Sequence, residues 1–229
     1  MAVTTDLSDE TPTAELPAPG RSALRAVLAS VIAVAMLVAA GALGYVVGHR
    51  GTSTPSTSSV DAGFAWDMST HHVQAVTMAG YTRDHTSDSG IKLLAYDIET
   101  SQFNQVGEMR GWLEAWNLPV NNPNAQMAWM AGSGHEHLSS SGLMPGMATP
   151  AEMSKLQSLT GKALDVYFLQ LMLRHHQGGL PMAQWAASHA RTDYVRTAAQ
   201  KMADSQSGEI VLMEQMLRER GADPLAPPD

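Results

Sequence analysis

The sequence predicts an all-α protein: a four-helix up-down bundle built from two helix-hairpin repeats and preceded by one transmembrane helix. Three observations predict it. An uncharged apolar run, "AVLASVIAVAMLVAAGALGYVV", occupies residues 26–47. A later segment of the chain recurs downstream in a fixed register. Within both copies the apolar and ligand-type side chains keep helical spacing, and no strand-like alternation competes.

The elements follow in chain order. Residues 1–23 are expected to form a disordered cytoplasmic tail. Residues 24–47 form the anchor, because at about 1.5 Å per residue such a helix spans the roughly 30 Å hydrocarbon layer. Arg21 and Arg25 precede the apolar run and Arg50 follows it. That arginine excess keeps the N-terminus in the cytoplasm and makes the chain single-pass, with an extracytoplasmic C-terminal domain. A cleaved signal peptide is the rival reading, with Ala40-Gly41-Ala42 as the small-residue cleavage site. The long tail bearing Asp6, Asp9, Glu10 and Glu15 is unlike a short basic n-region and favours an uncleaved anchor. Residues 48–60, including "GTSTPSTSSV", have the composition of a flexible linker. Residues 61–222 have the size of one domain.

The repeat organises that domain. "DAGFAWDMSTHHVQAVTMAGYTRDH" from residue 61 returns as "DVYFLQLMLRHHQGGLPMAQWAASH" from residue 165. Asp61, Phe64, Met68, His71, His72, Met78, Ala79 and His85 match Asp165, Phe168, Met172, His175, His176, Met182, Ala183 and His189, always 104 positions apart. "QVGEM" at 105–109 then echoes "QSGEI" at 206–210, offset by 101, so a connecting turn falls between the blocks. Each half reads as helix, turn, helix. On the first helix the matched positions fall within an arc of about 140° at 100° per residue. The second helix, about 90–116, carries Leu94, Ile98, Gln105, Met109, Trp112 and Trp116 at helical intervals and ends at Asn117-Leu118-Pro119. A long insertion, 118–148, joins the halves. Thr149-Pro150-Ala151-Glu152 starts a helix, with threonine as cap and glutamate three residues on. The last helix, about 193–220, stops at Gly221 with Pro224 beyond. Asp61 and Asp165 read as N-caps and Phe64 and Phe168 as core. Gly178, Gly179 and Pro181 interrupt the second copy, and Pro181 is expected to kink the helix and unsettle the register of Met182 and His189.

Charge and chemistry narrow the function. From Asp61 onward the chain carries 11 basic and 18 acidic residues, net −7, which argues against a nucleic-acid partner. With no cysteine, any soft-metal ligand must be methionine or histidine. Met68, His71 and His72 are spaced i, i+3 and i+4, so both imidazoles lie a turn from the thioether. His71 and Met78 are about 10.5 Å apart along the axis, so Met78 serves a second site, a site completed by another helix, or the core. Thioether with imidazole favours Cu(I), with Ag(I) as a mimic, while imidazole also accepts Cu(II), Zn(II) or Ni(II). Methionine where a di-iron motif has glutamate argues against iron–oxygen chemistry. Glu108 and Glu209 are candidates to orient the histidines. The insertion adds Met127, Met130, His135, His137, Met144 and Met147. Isolated methionines on such faces are ordinarily core. The repeated Met-x-x-His-His unit is different, because burying four imidazoles costs desolvation that apolar residues avoid. His85 and His189 suit either ligation or the helix C-terminal dipole.

These residues resemble the bacterial family catalogued as domain of unknown function 305, marked by a duplicated Met-x-x-His-His-x5-Met-Ala pattern with "MPGM" leading into the second copy. Here those are Met68, His71, His72, Met78 and Ala79, "MPGM" at 144–147, and Met172, His175, His176, Met182 and Ala183. The "Q-x-x-E" at 105–108 and 206–209 also matches. The resemblance implies a ferritin-like four-helix fold, exported or membrane-anchored, with copper binding in some members and no general enzymatic activity established for the family. The expected protein is therefore an anchored copper-binding protein that buffers or sequesters Cu(I). Its main ligands are His71, His72, His175 and His176, with Met68 and Met172 beside them. Met78, Met182, His85 and His189 complete the candidate set. Rival readings are a metalloenzyme such as a copper oxidase, and a metal-free helical interaction or pH-sensing domain. A homo-oligomer is left open.

Overall fold

The computed structural model describes residues 20–49 and 54–227. Most of the expected cytoplasmic tail and residues 50–53 of the linker lie outside them. Two units are separable, one ending at Ser53 and one beginning at Thr54, and each is described by itself.

In the first unit, α1 runs Arg21–His49. Its stretch Leu24–Tyr45, 22 residues, is long and apolar enough to cross a membrane. Leu28, Ile32, Leu37 and Leu43 stand exposed along it.

The second unit is all helix and loop among the described residues. Its elements are α2 (Val60–His85), α3 (Ser89–Ala115), a 3-10 turn (Ala128–Met130), α4 (Pro150–Ser158), α5 (Gly161–His189) and α6 (Asp193–Glu219). The hairpins α2/α3 and α5/α6 join through α2 and α5, which run antiparallel at the centre of a four-helix bundle. Local chemistry sets the ends. Ser59 Oγ accepts from Ala62 N–H to cap α2, and Asp88 accepts from Gly90 and Ile91 N–H to cap α3. Thr149 and Glu152 form the expected capping box. Gly221, at φ +63°, closes α6 as Ala222 N–H returns to the Leu217 carbonyl.

The helix expected to start at Thr149 does so as α4, which ends at Ser158, and Gly161 then opens α5 with φ +56°. Only glycine takes that left-handed turn cheaply, so the chain breaks there. The linker is not free to residue 60, because Asn124 Nδ2 donates to the Thr57 carbonyl at 2.7 Å. Pro181 does not unsettle the register, as α5 runs unbroken to His189 with Met182 and Ala183 buried like Met78 and Ala79.

Asp61 and Asp165 are not caps. Asp61 accepts from Arg191 N–H, Thr192 N–H and Thr192 Oγ1, in the turn between α5 and α6. Asp165 accepts from Thr86 Oγ1 at 2.5 Å, just beyond α2. Each aspartate ties its own hairpin to the turn of the other.

The core is split in two. One apolar cluster holds Phe64 and Met68 from the first copy with Met182 and Ala183 from the second. The other holds Met78 and Ala79 with Phe168 and Met172. Antiparallel pairing of α2 and α5 therefore puts each copy's first methionine with the other copy's second. Between them lies a layer of histidines.

Candidate metal centre

His71, His72, His175 and His176 are all buried. The rings of His71 and His175 face each other across the α2–α5 contact, with centroids 3.8 Å apart and planes at 36°. His176 stands beside His175 at 6.2 Å.

All four present the same edge to an oxygen. His71 Nε2 donates to the Pro145 carbonyl at 3.0 Å, and His72 Nε2 to Gln105 Oε1 at 2.8 Å. His175 Nε2 donates to the His71 carbonyl at 3.1 Å, and His176 Nε2 to Glu209 Oε2 at 2.5 Å. In a neutral imidazole the other nitrogen then carries the lone pair. The Nδ1 atoms of His71, His72 and His176 are buried without a partner. An imidazole whose N–H is fixed by a carbonyl or carboxylate and whose second nitrogen is bare has the arrangement of a metal-ligating histidine.

Burial keeps the lone pairs of His71 and His72 free of protons. Desolvation takes His71 down to about 4, against the opposing bond to Pro145. It takes His72 to about 3, helped by the neighbouring His71, and holds His175 well below the usual imidazole range.

The insertion closes over this layer. Gln74 grips Ala148 on both sides, its Nε2 donating to the carbonyl at 2.8 Å and its Oε1 accepting from the N–H at 2.6 Å. "MPGM" thus lies as a strap on α5, and two glycines make that possible. A Cβ on Gly178 would sit 2.1 Å from the Pro145 carbonyl oxygen, and one on Gly146, at φ +80°, 2.4 Å from that of Arg174. Gly179 likewise leaves room for the His71 ring. The glycines that interrupt the second copy are the strap's seat. Arg174 and Glu152 meet in a bidentate pair at 2.9 and 2.8 Å that pins α4 to α5 beside His175.

Not every candidate joins the layer. Met68 and Met182 lie in one flanking cluster, and Met78 and Met172 in the other. His85 and His189 are exposed at the ends of α2 and α5, where each Nδ1 bonds the carbonyl four residues back. Each ring also stacks on an aromatic, Tyr81 at 4.0 Å or Trp185 at 3.6 Å. Glu108, expected to orient a histidine, is exposed instead, and it is Gln105 that bonds His72. Glu209 does reach His176. Among the described residues no three His, Asp or Glu groups form a preformed metal cluster. A bound ion therefore requires ring rotation, a thioether from a flanking cluster, or both.

Sequence reasoning missed Asp67. Its buried carboxylate accepts from Met127 N–H at 2.7 Å, Trp129 Nε1 at 2.8 Å and Asn122 Nδ2 at 3.0 Å, anchoring the insertion to α2. Burial pushes this carboxyl up, against the pull of those donors. A signal was present, since residue 171, its match in the second copy, is leucine.

The family model described as Domain of unknown function (DUF305) matches residues 61–217. The chain is 46% identical to a DUF305 protein from Streptomyces coelicolor, with TM-score 0.68 over 75% of this chain and 99% of that one. It is 31% identical to a DUF305 fragment from Deinococcus radiodurans, with TM-score 0.58 over 70% of this chain and 96% of that one. The fold is also similar to that of CopM in its Cu(I)-bound form, at 22% identity and TM-score 0.54 over 69% of this chain and 96% of that one. No curated protein matches the chain.

Proposed function

We propose that this chain, which belongs to the DUF305 family, is a membrane-anchored extracytoplasmic copper-binding protein that buffers or sequesters Cu(I). One observation carries the reading: four buried imidazoles with anchored Nε2–H groups, three of them with bare Nδ1 lone pairs. Orphaned buried nitrogen is costly in a core, at about 1–3 kcal/mol each, unless something uses it. His71, His72, His175 and His176 hold the ion, and Met68 and Met172 are the nearest thioethers in sequence. Both types of donor suit a soft cation with low coordination demand. The copper-bound state of the fold neighbour CopM supports the choice of metal. Helix α1, with Arg21 and Arg25 in its first turns, supplies the anchor.

The metal-free pH-sensor reading fits less well. A sensor acting between about pH 5 and 7 needs imidazoles that titrate there in the folded state. Burial takes His71 to about 4 and His72 to about 3.

Titration of the full chain in detergent with Cu(I), against a competing chelator, tests the proposal. Submicromolar binding that is lost on His71→Gln, His72→Gln, His175→Gln and His176→Gln is expected. Affinity weaker than about 1 µM, or unchanged in that variant, would sink it. Met68→Leu and Met172→Leu conserve core volume, so a drop in affinity there reports ligation and not misfolding.

A further inference from the structure

The HEH motif of the insertion is not absorbed by the buried layer. His135 and His137 are exposed, neither ring makes a hydrogen bond among the described residues, and His137 lies near the Glu136 carboxylate between them in sequence. Their segment lies outside any helix. Both line a single cavity of about 560 Å³ together with Met127, Met182, Gln177 and Pro145.

The walls of that cavity are ordered by chemistry. The two imidazoles stand on its exposed rim. Met127 and Met182, both shut off from solvent, lie beneath as its floor. Pro145 belongs to the wall and also accepts from His71 Nε2 at 3.0 Å, so one residue separates the cavity from the histidine layer. Met127 is held there at a cost. Its φ of +65° lies in the left-handed region, and its N–H is fixed by the Asp67 carboxylate at 2.7 Å. Such strain at a non-glycine residue persists only where the surroundings over-determine it.

We propose that this cavity is a second, outer site, where His135 and His137 capture a soft univalent cation above a thioether floor and pass it across Pro145 to the buried layer. Imidazole and thioether select Cu(I) or Ag(I) over hard cations, and no carboxylate is among the described residues that wall the cavity. The acidic surface of the domain draws cations toward it. The destination of the ion rests on the function proposed above, but the capture site does not.

The test uses the full chain in detergent, with Cu(I) or Ag(I) alone as probe, and compares the parent with His135→Ala/His137→Ala. The variant should bind about one ion fewer per chain and fill its buried layer more slowly, to the same final occupancy. The same ion count and the same filling rate in both proteins would overturn the proposal, and so would loss of every ion from the variant. A parallel His71→Gln/His175→Gln chain separates the two readings. If it keeps every ion while the outer variant loses one, the buried-layer reading fails and the outer site stands. Met127→Leu, which keeps the volume, should weaken the outer site, and an unchanged affinity would remove the floor from the account.

Discussion

Acid should unfold the bundle in a pH range set by its histidines. The perturbation is a fall from pH 7 to pH 5 in the metal-free chain. His71 stands at about 4 and His72 at about 3, both from an ordinary 6.5, because burial penalises the imidazolium. Their folded values lie below their unfolded ones, so the unfolded chain binds more protons as pH falls. Stability is then fully present above about pH 6.5 and is lost downward, for His71 until about 4 and for His72 until about 3. At pH 5 each group costs roughly 2 kcal/mol, and the pair about 4 kcal/mol, a large share of a typical domain's stability. His175, also lowered, adds in the same direction. Asp67 opposes them, since its raised carboxyl is relieved by acid. All five tryptophans, at 66, 112, 116, 129 and 185, lie in the second unit, so urea unfolding followed by tryptophan fluorescence in detergent reports that unit and not α1. The urea midpoint should fall steadily from pH 6.5 to 5 with little change in slope. A midpoint that is flat over that interval, or that falls equally in His71→Gln/His72→Gln, would refute the reasoning.

Other perturbations separate the parts of the site. Glu209→Gln keeps a hydrogen bond to His176 but removes the carboxylate, and should weaken Cu(I) binding about 10- to 100-fold with little change in helicity, read by chelator competition and circular dichroism. An unchanged affinity would leave His176 outside the site. Gly146→Ala combines a left-handed φ of +80° with a Cβ only 2.4 Å from the Arg174 carbonyl oxygen. It should cost about 2 kcal/mol or more and loosen the strap, seen as faster amide exchange near residue 146. Native protection there would mean that the strap is not seated as described. Asp61→Ala strips the acceptor from two backbone N–H groups and the Thr192 hydroxyl, for a loss of about 1–3 kcal/mol in thermal or urea unfolding. A neutral result would deny that the aspartate ties the hairpins.

Much of the fold was legible because the repeat doubles every signal. Matched positions 104 apart defined two equivalent hairpins, and capping chemistry at Thr149 and Gly221 marked real helix ends. The histidine pairs were legible for the same reason. What escaped depends on contacts between segments distant in sequence. Asp61 begins α2 like a cap, yet Ser59 caps it, and the aspartate's partners lie 130 and 131 residues away. Gly178 looked like a helix defect until the strap was laid against it. Met78 was too far from His71 on one helix, and only the antiparallel crossing of α2 and α5 places it beside Met172. A one-dimensional period carries the face of a helix but not which helix that face meets.

The central claim is that bare Nδ1 lone pairs in the buried layer receive the ion. Long-range proton–nitrogen correlation spectra of the full chain, labelled with nitrogen-15 at histidine and titrated with Ag(I), read it directly. Before metal, His71 and His72 should show neutral rings protonated at Nε2. On loading, their Nδ1 resonances should move while the Nε2–H signals persist. Nδ1 resonances that stay in place as the ion binds, or Nε2–H signals that vanish in their stead, would contradict the account.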